Sequence, residues 1–165
     1  MGDVIDTPLI GSPDRWLLIF HREASSWWTG IIAPGKYKHV SAMGYVAALE
    51  TWVYYDVQFG GVRIALAKKG DGFRQLYASV IGNTACDLMW MNRGPDRKGW
   101  SPRLFLCTTA IAHLIGLRSS ALLPSRLYAD CLANGGEIVE PENPGQAADQ
   151  SAVRSSPAAG GASRD

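Results

Sequence analysis

The fold of this chain is decided by the stretch Thr51-Trp52-Val53-Tyr54-Tyr55-Asp56-Val57-Gln58. Its aromatic and β-branched side chains suit a pleated, half-buried surface, so the stretch is predicted to be a strand. Residues 38–46 form a second predicted strand before it, and Gly60-Gly61 turns the chain into a third at 62–67. Together the three segments predict an antiparallel β-meander.

Further strands and helices are predicted on both sides of the meander. Apolar runs predict strands at 15–21 and 85–91, and helical spacing with start and stop signals predicts helices elsewhere. The predicted helical segments are 25–32, 73–81, 106–115 and 124–133. This order of elements predicts an α+β domain with a small mixed or antiparallel sheet and packed helices.

Composition divides the chain into three parts. Residues 1–13 contain two prolines and show little pattern, which predicts a flexible N-terminal arm. Residues 14–136 carry the apolar segments and form the predicted α+β domain. Residues 137–165 are rich in Ala, Gly, Ser, Pro and Gln, and they offer too little apolar surface to offset chain entropy. They are predicted to be a disordered tail.

Several classes of protein are excluded by what the sequence lacks. No apolar run is long enough for a membrane-spanning helix, and the N-terminus lacks the pattern of a signal peptide, so a cytoplasmic protein is expected. The three cysteines, Cys86, Cys107 and Cys131, are scattered and odd in number, which argues against a disulfide framework or a zinc site. No phosphate-binding loop, dinucleotide motif or metalloprotease motif occurs, so no cofactor is predicted.

The charge is uneven along the chain. Residues 14–136 hold 14 Lys and Arg against 8 Asp and Glu, a net charge of +6, whereas the whole chain carries +1. A basic domain can favour an anionic partner such as nucleic acid. The basic residues form only doublets, Lys68-Lys69 and Arg97-Lys98, so nucleic-acid binding is the least favoured function and would require a steep salt dependence.

Cys107 is the cysteine whose position suits a nucleophile. It lies where the polar loop 92–103 gives way to a predicted helix. A helix N-terminus presents free N–H groups and partial positive charge, which stabilise a thiolate and can hold an oxyanion. Cys86 and Cys131 are predicted to be small core residues, and His113, nearly two turns after Cys107, is too far along the helix to be its partner.

His39 and Asp56 are predicted to meet across the hairpin. With the turn centred between Ala47 and Ala48 the two residues lie directly opposite, and a shift of the centre by one residue leaves them diagonal on the same face. A carboxylate there can bind one nitrogen of the imidazole and leave the other as a base. The alternative is a structural histidine and a turn-capping aspartate. His21, at the end of the first strand, is predicted to lie at the surface.

Five segments together resemble a family of short phage and prophage proteins with a circularly permuted papain-like (NlpC-type) fold. The matching segments are Trp27 to Gly35, His39-Val40, Trp52 to Asp56, Cys107 with Gly116-Leu117, and Pro124 to Tyr128. The resemblance covers roughly residues 15–136. The family commonly has Lys where Ala112 stands and Thr where Leu123 stands, and neither departure touches the three polar residues.

The resemblance implies a cysteine hydrolase with Cys107 as nucleophile, His39 as base and Asp56 as the orienting group. The order His39, Asp56, Cys107 is the one that circular permutation of papain requires. A peptidase, an amidase or an acyl transferase is expected, with a peptide, a cell-wall peptide or an acyl group as substrate. The alternative is a non-catalytic virion or assembly protein that reuses the fold and binds phage virion components.

Overall fold

The computed structural model describes residues 11–23, 34–58, 61–82, 85–95 and 106–139. The helix predicted at 25–32 lies outside these residues, as do most of the predicted N-terminal arm and most of the predicted tail. The described part is a mixed α+β structure with six strands and three helices. None of the described helices is long and apolar enough to cross a membrane.

One antiparallel sheet holds all the described strands, in the order β4-β3-β2-β1-β5-β6. The strands are β1 Arg15–His21, β2 His39–Val46, β3 Thr51–Gln58, β4 Gly61–Lys68, β5 Cys86–Asn92 and β6 Glu137–Val139. The helices are α1 Asp71–Ile81, α2 Cys107–Leu114 and α3 Pro124–Ala133. The predicted meander is present as β2, β3 and β4. A short 3₁₀ turn, Ala47–Leu49, joins β2 to β3, and Glu50 after it is left-handed, with a φ of 47°.

The sheet carries a core on each face, because successive side chains along a strand point to opposite sides. The first core packs β1 and β2 against α2 and α3; it includes Leu18, Phe20, Val40, Ala42, Ile111 and Leu127. The second core lies on the other face under α1; it includes Leu17, Ile19, Met43, Trp52, Phe73 and Val80. Burial on both faces explains why β1 is apolar along nearly its whole length.

The structure corrects both boundaries of the predicted domain. Glu137–Val139, placed in the disordered tail by the sequence, forms the edge strand β6, which pairs with β5 and brings Glu137 into an ion pair with Arg15. Backbone hydrogen bonds with β5 hold these three residues in place, although they bury little apolar surface. Pro13, placed in the flexible arm, is buried, and it packs so closely on Gly44 that a Cβ there would lie 2.6 Å from the proline ring.

A chain that ends at Gly136 should therefore unfold at a lower temperature than one that ends at Val139. The shorter chain loses the pairing of β6 with β5, which we expect to cost about 1 kcal/mol and a few degrees of melting temperature. Differential scanning calorimetry of the two truncated chains measures the difference. Equal melting temperatures would show that β6 does not stabilise the domain.

Candidate active site

The hairpin of β2 and β3 brings His39 and Asp56 together. Ser41 lies directly opposite Asp56, so His39, two residues earlier, is its diagonal neighbour on the same face. The centre of the turn is thus shifted by one residue from the register that would place His39 directly opposite Asp56. The distance between diagonal neighbours on one face can still be bridged by long side chains. His39 Nε2 donates to Asp56 Oδ1 over 2.6 Å.

Asp56 is held as a carboxylate by the groups around it. Its side chain is only 4% exposed, and burial alone would raise its pKa. The hydrogen bond from His39 and those from Gln58 and Tyr54 outweigh burial, so that the pKa of Asp56 is lowered. Gln58 Nε2 donates to Oδ2 over 2.8 Å, which leaves Oδ1 for the imidazole. Asp56 is therefore a fixed acceptor that orients His39.

Cys107 is the first residue of α2 and is half-buried. The backbone N–H of Leu106 donates to the Thr109 hydroxyl over 2.9 Å, which fixes the start of the helix where no capping side chain stands at Leu106. The thiol lies near His39, where it helps to raise the pKa of the imidazole. Because Nε2 of His39 is engaged by Asp56, Nδ1 is the nitrogen left to act on the thiol.

The thiol and the imidazole meet at one end of the sheet. Cys107 packs against the first core, whereas His39 alternates with Val40 and so belongs to the other face of β2. His39 is the first residue of β2, and its ring is therefore at the end of the strand, where the N-terminus of α2 reaches it. The contact depends on where α2 begins as well as on the register of the hairpin.

His39 is protonated at neutral pH. Burial lowers its pKa, but the hydrogen bonds with Asp56 and Cys107 and the attraction of their charges more than offset this and raise it to about 9. An imidazolium beside a thiol at a helix N-terminus is the arrangement that stabilises a thiolate nucleophile. The first N–H groups of α2 face the same region, where they can stabilise an oxyanion.

His21 is the part of the site that the sequence analysis missed. It was predicted to lie at the surface, but it is half-buried, directly opposite His39, with the two ring centroids 5.5 Å apart. Burial, and then the charge of His39, lower the pKa of His21 to about 4. The sequence did contain a signal for the burial of His21. It follows Leu17 and Ile19 at intervals of two residues, and residues at this spacing in a strand point to the same face.

The other two cysteines and His113 differ from Cys107 in burial or position. Cys131 is fully buried in the first core, and burial raises the pKa of its thiol to about 12. Cys86 begins β5 and is half-buried, and His113 is exposed on α2. Within the described residues no cluster of three or more His, Cys, Asp and Glu side chains could hold a metal ion.

The described residues therefore form an α+β domain in which the Cys107 thiol lies near the His39 imidazole, which is hydrogen-bonded to the Asp56 carboxylate. No family model matches this chain, and comparisons with curated proteins and with solved structures find no match either.

The two histidines should give the stability of the protein a maximum near pH 6.5. The folded pKa of His39 is raised, so its contribution is fully present below about pH 6.5 and lost as the pH rises through about 9. The folded pKa of His21 is lowered to about 4, so stability is lost as the pH falls from about 6.5 toward 4. Each limb of this stability profile, alkaline and acid, should amount to about 3 kcal/mol.

Urea unfolding at a series of pH values measures both limbs. His39→Gln should flatten the alkaline limb, and His21→Gln should flatten the acid limb only in part, because Asp56, whose pKa is also lowered, loses its contribution there too. A wild-type profile that is flat from pH 5 to pH 9 would contradict the two shifts.

Proposed function

We propose that this chain is a thiol hydrolase or acyl transferase of the circularly permuted papain-like kind. The observation that carries the proposal is the position of His39, which bonds buried Asp56 through Nε2 and lies near the Cys107 thiol, with Nδ1 left to act on it. The order of these three residues along the chain agrees with the permuted family that the sequence resembles. The antiparallel sheet with a helix that begins at Cys107 is compatible with such a fold.

The geometry supports a two-step acyl transfer. Cys107 Sγ attacks the carbonyl carbon of an amide, ester or thioester, and the tetrahedral oxyanion is held by N–H groups at the start of α2. As the carbon–leaving-group bond breaks, His39 gives its proton to the leaving group and a Cys107 thioester remains. His39 then removes a proton from water or another acceptor, which attacks the thioester and releases the thiolate. Asp56 keeps the ring in place throughout.

The substrate classes that fit are a peptide, a cell-wall peptide or an acyl group, since all present a carbonyl to the thiol. For a phage product that acts on its host, cell-wall peptide is the natural first choice. The three polar residues need no cofactor for this chemistry.

An activated ester tests the proposal before the natural substrate is known. With p-nitrophenyl acetate we expect a burst of p-nitrophenolate and an acetyl group on Cys107, located by peptide mass mapping. Cys107→Ala should abolish both, and His39→Gln should slow both acylation and release. Exposed His113 on the same helix supplies the control, because His113→Gln should leave the burst unchanged. Acetylation of Cys86 at the same rate as Cys107 would contradict the proposal.

A non-catalytic assembly role is favoured by a different observation. Edge strand β4 exposes three apolar side chains in a row on one face, Val62, Ile64 and Leu66, which are 47%, 62% and 69% exposed. Exposed apolar surface of this kind is typical of a protein interface. An assembly protein should lose incorporation into phage particles with Ile64→Lys and keep it with Cys107→Ala. A hydrolase should lose activity in the ester assay with Cys107→Ala and keep it with Ile64→Lys.

A further inference from the structure

His21 completes a layer of side chains behind the candidate active site. It is the last residue of β1 and lies directly opposite His39 on β2 and Cys86 on β5. The His21 and His39 rings are stacked, with an angle of 29° between their planes. On its β5 side Cys86 lies near Tyr77 of α1.

A hydrogen bond ties His21 to the strand that carries His39. His21 Nε2 is 2.9 Å from Ser41 Oγ, and Ser41 lies two residues after His39 on β2 and directly opposite Asp56 on β3. His21 is therefore held both by the ring of His39 and by the residue that faces the carboxylate orienting that ring.

We propose that His21 is a positioning residue for His39: its ring lies against one side of the imidazole, and the hydrogen bond between its Nε2 and Ser41 holds it there. The ring of His39 must present Nε2 to Asp56 and Nδ1 to Cys107 at the same time. The His21 ring packs against the His39 ring and so keeps it from rotating away from these two partners. This inference rests on the proposed function for its catalytic meaning, but not for its geometry.

The test removes the two contributions of His21 separately. His21→Ala removes the ring and the donor, His21→Phe keeps a ring without a donor, and His21→Gln keeps a donor without a ring. Arg22→Ala is the matched control, because Arg22 is the next residue and bonds Asp87 rather than the site. Two quantities are measured for each variant: the rate of Cys107 alkylation by iodoacetamide at pH 7, and the titration of His39 followed by its ring C–H signals in NMR.

His21→Ala should alkylate roughly tenfold more slowly than the wild type, and its His39 should titrate below the wild-type value of about 9. His21→Phe and His21→Gln should each recover part of the rate. In a His39→Ala background, His21→Ala should not slow alkylation any further. A residue that only stabilised the fold would slow alkylation in both backgrounds. The inference is overturned if His21→Ala leaves rate and titration unchanged, or if it slows alkylation equally in the His39→Ala background.

The two readouts separate this inference from the proposed function. If wild-type Cys107 reacts no faster than Cys86, the proposed hydrolase fails, and the titration of His39 still decides whether His21 positions its ring. If His21→Ala does not fold, Ser41→Ala removes the hydrogen-bond partner of His21 Nε2 and leaves both rings in place. It should lower the alkylation rate by less than about tenfold, and no change at all would overturn the role of that hydrogen bond.

Discussion

Limiting iodoacetamide at about pH 6 should alkylate Cys107 at least about tenfold faster than Cys86 or Cys131 in the folded protein. Cys107 begins a helix and lies near His39, whose raised pKa keeps an imidazolium beside the thiol at that pH. Cys131 is fully buried, and burial raises the pKa of its thiol to about 12. Cys86 is half-buried at the start of β5, away from the helix terminus.

Peptide mapping after short exposure reads the three rates directly. In urea the three cysteines should react alike, because the helix terminus and the histidine no longer act on Cys107; this is the internal control for intrinsic differences between the peptides. If Cys86 or Cys131 is labelled as fast as Cys107 in the folded state, Cys107 is not the nucleophile and the assembly role becomes the better account of this fold.

Replacing either partner of Cys107 should remove most of its reactivity near neutral pH. We expect His39→Ala and Asp56→Ala each to slow alkylation by roughly 10- to 100-fold, because the thiol loses the imidazolium in one case and its fixed orientation in the other. The double variant should be little slower than either single variant, since residues that act as one unit are not additive. Stopped reactions analysed by mass spectrometry give all four rates.

Asp56→Asn provides a conservative comparison for the same cycle. It keeps the size of the side chain and the possibility of a bond to His39, but it removes the charge that helps to raise the pKa of the imidazole. We expect a smaller loss than for Asp56→Ala. Losses in the two single variants that simply multiply in the double variant would show that His39 and Asp56 act independently, against a triad.

The alternation and composition of the chain were enough to predict the local elements. Arg15–His21, Thr51–Gln58 and Pro124–Ala133 have the predicted bounds, and the other predicted elements within the described residues differ from prediction by one or two residues. Strand Glu137–Val139 was not predicted, because its three residues carry no pattern of their own and are held by pairing with β5. Such an edge strand depends on a neighbour 45 or more residues away in the chain, which a local pattern does not encode.

The proximity of His39 and Asp56 was already contained in the sequence, because a short turn fixes the register of a hairpin and the period of two fixes the face. Only the tertiary structure decided that Cys107 lies near His39 and that His21 stacks on it. The first contact requires α2 to begin near the first residue of β2, after a long connection whose path no local rule specifies. The second requires β1 to lie between β2 and β5, and the order of strands in a sheet is set by packing of both cores rather than by any one segment.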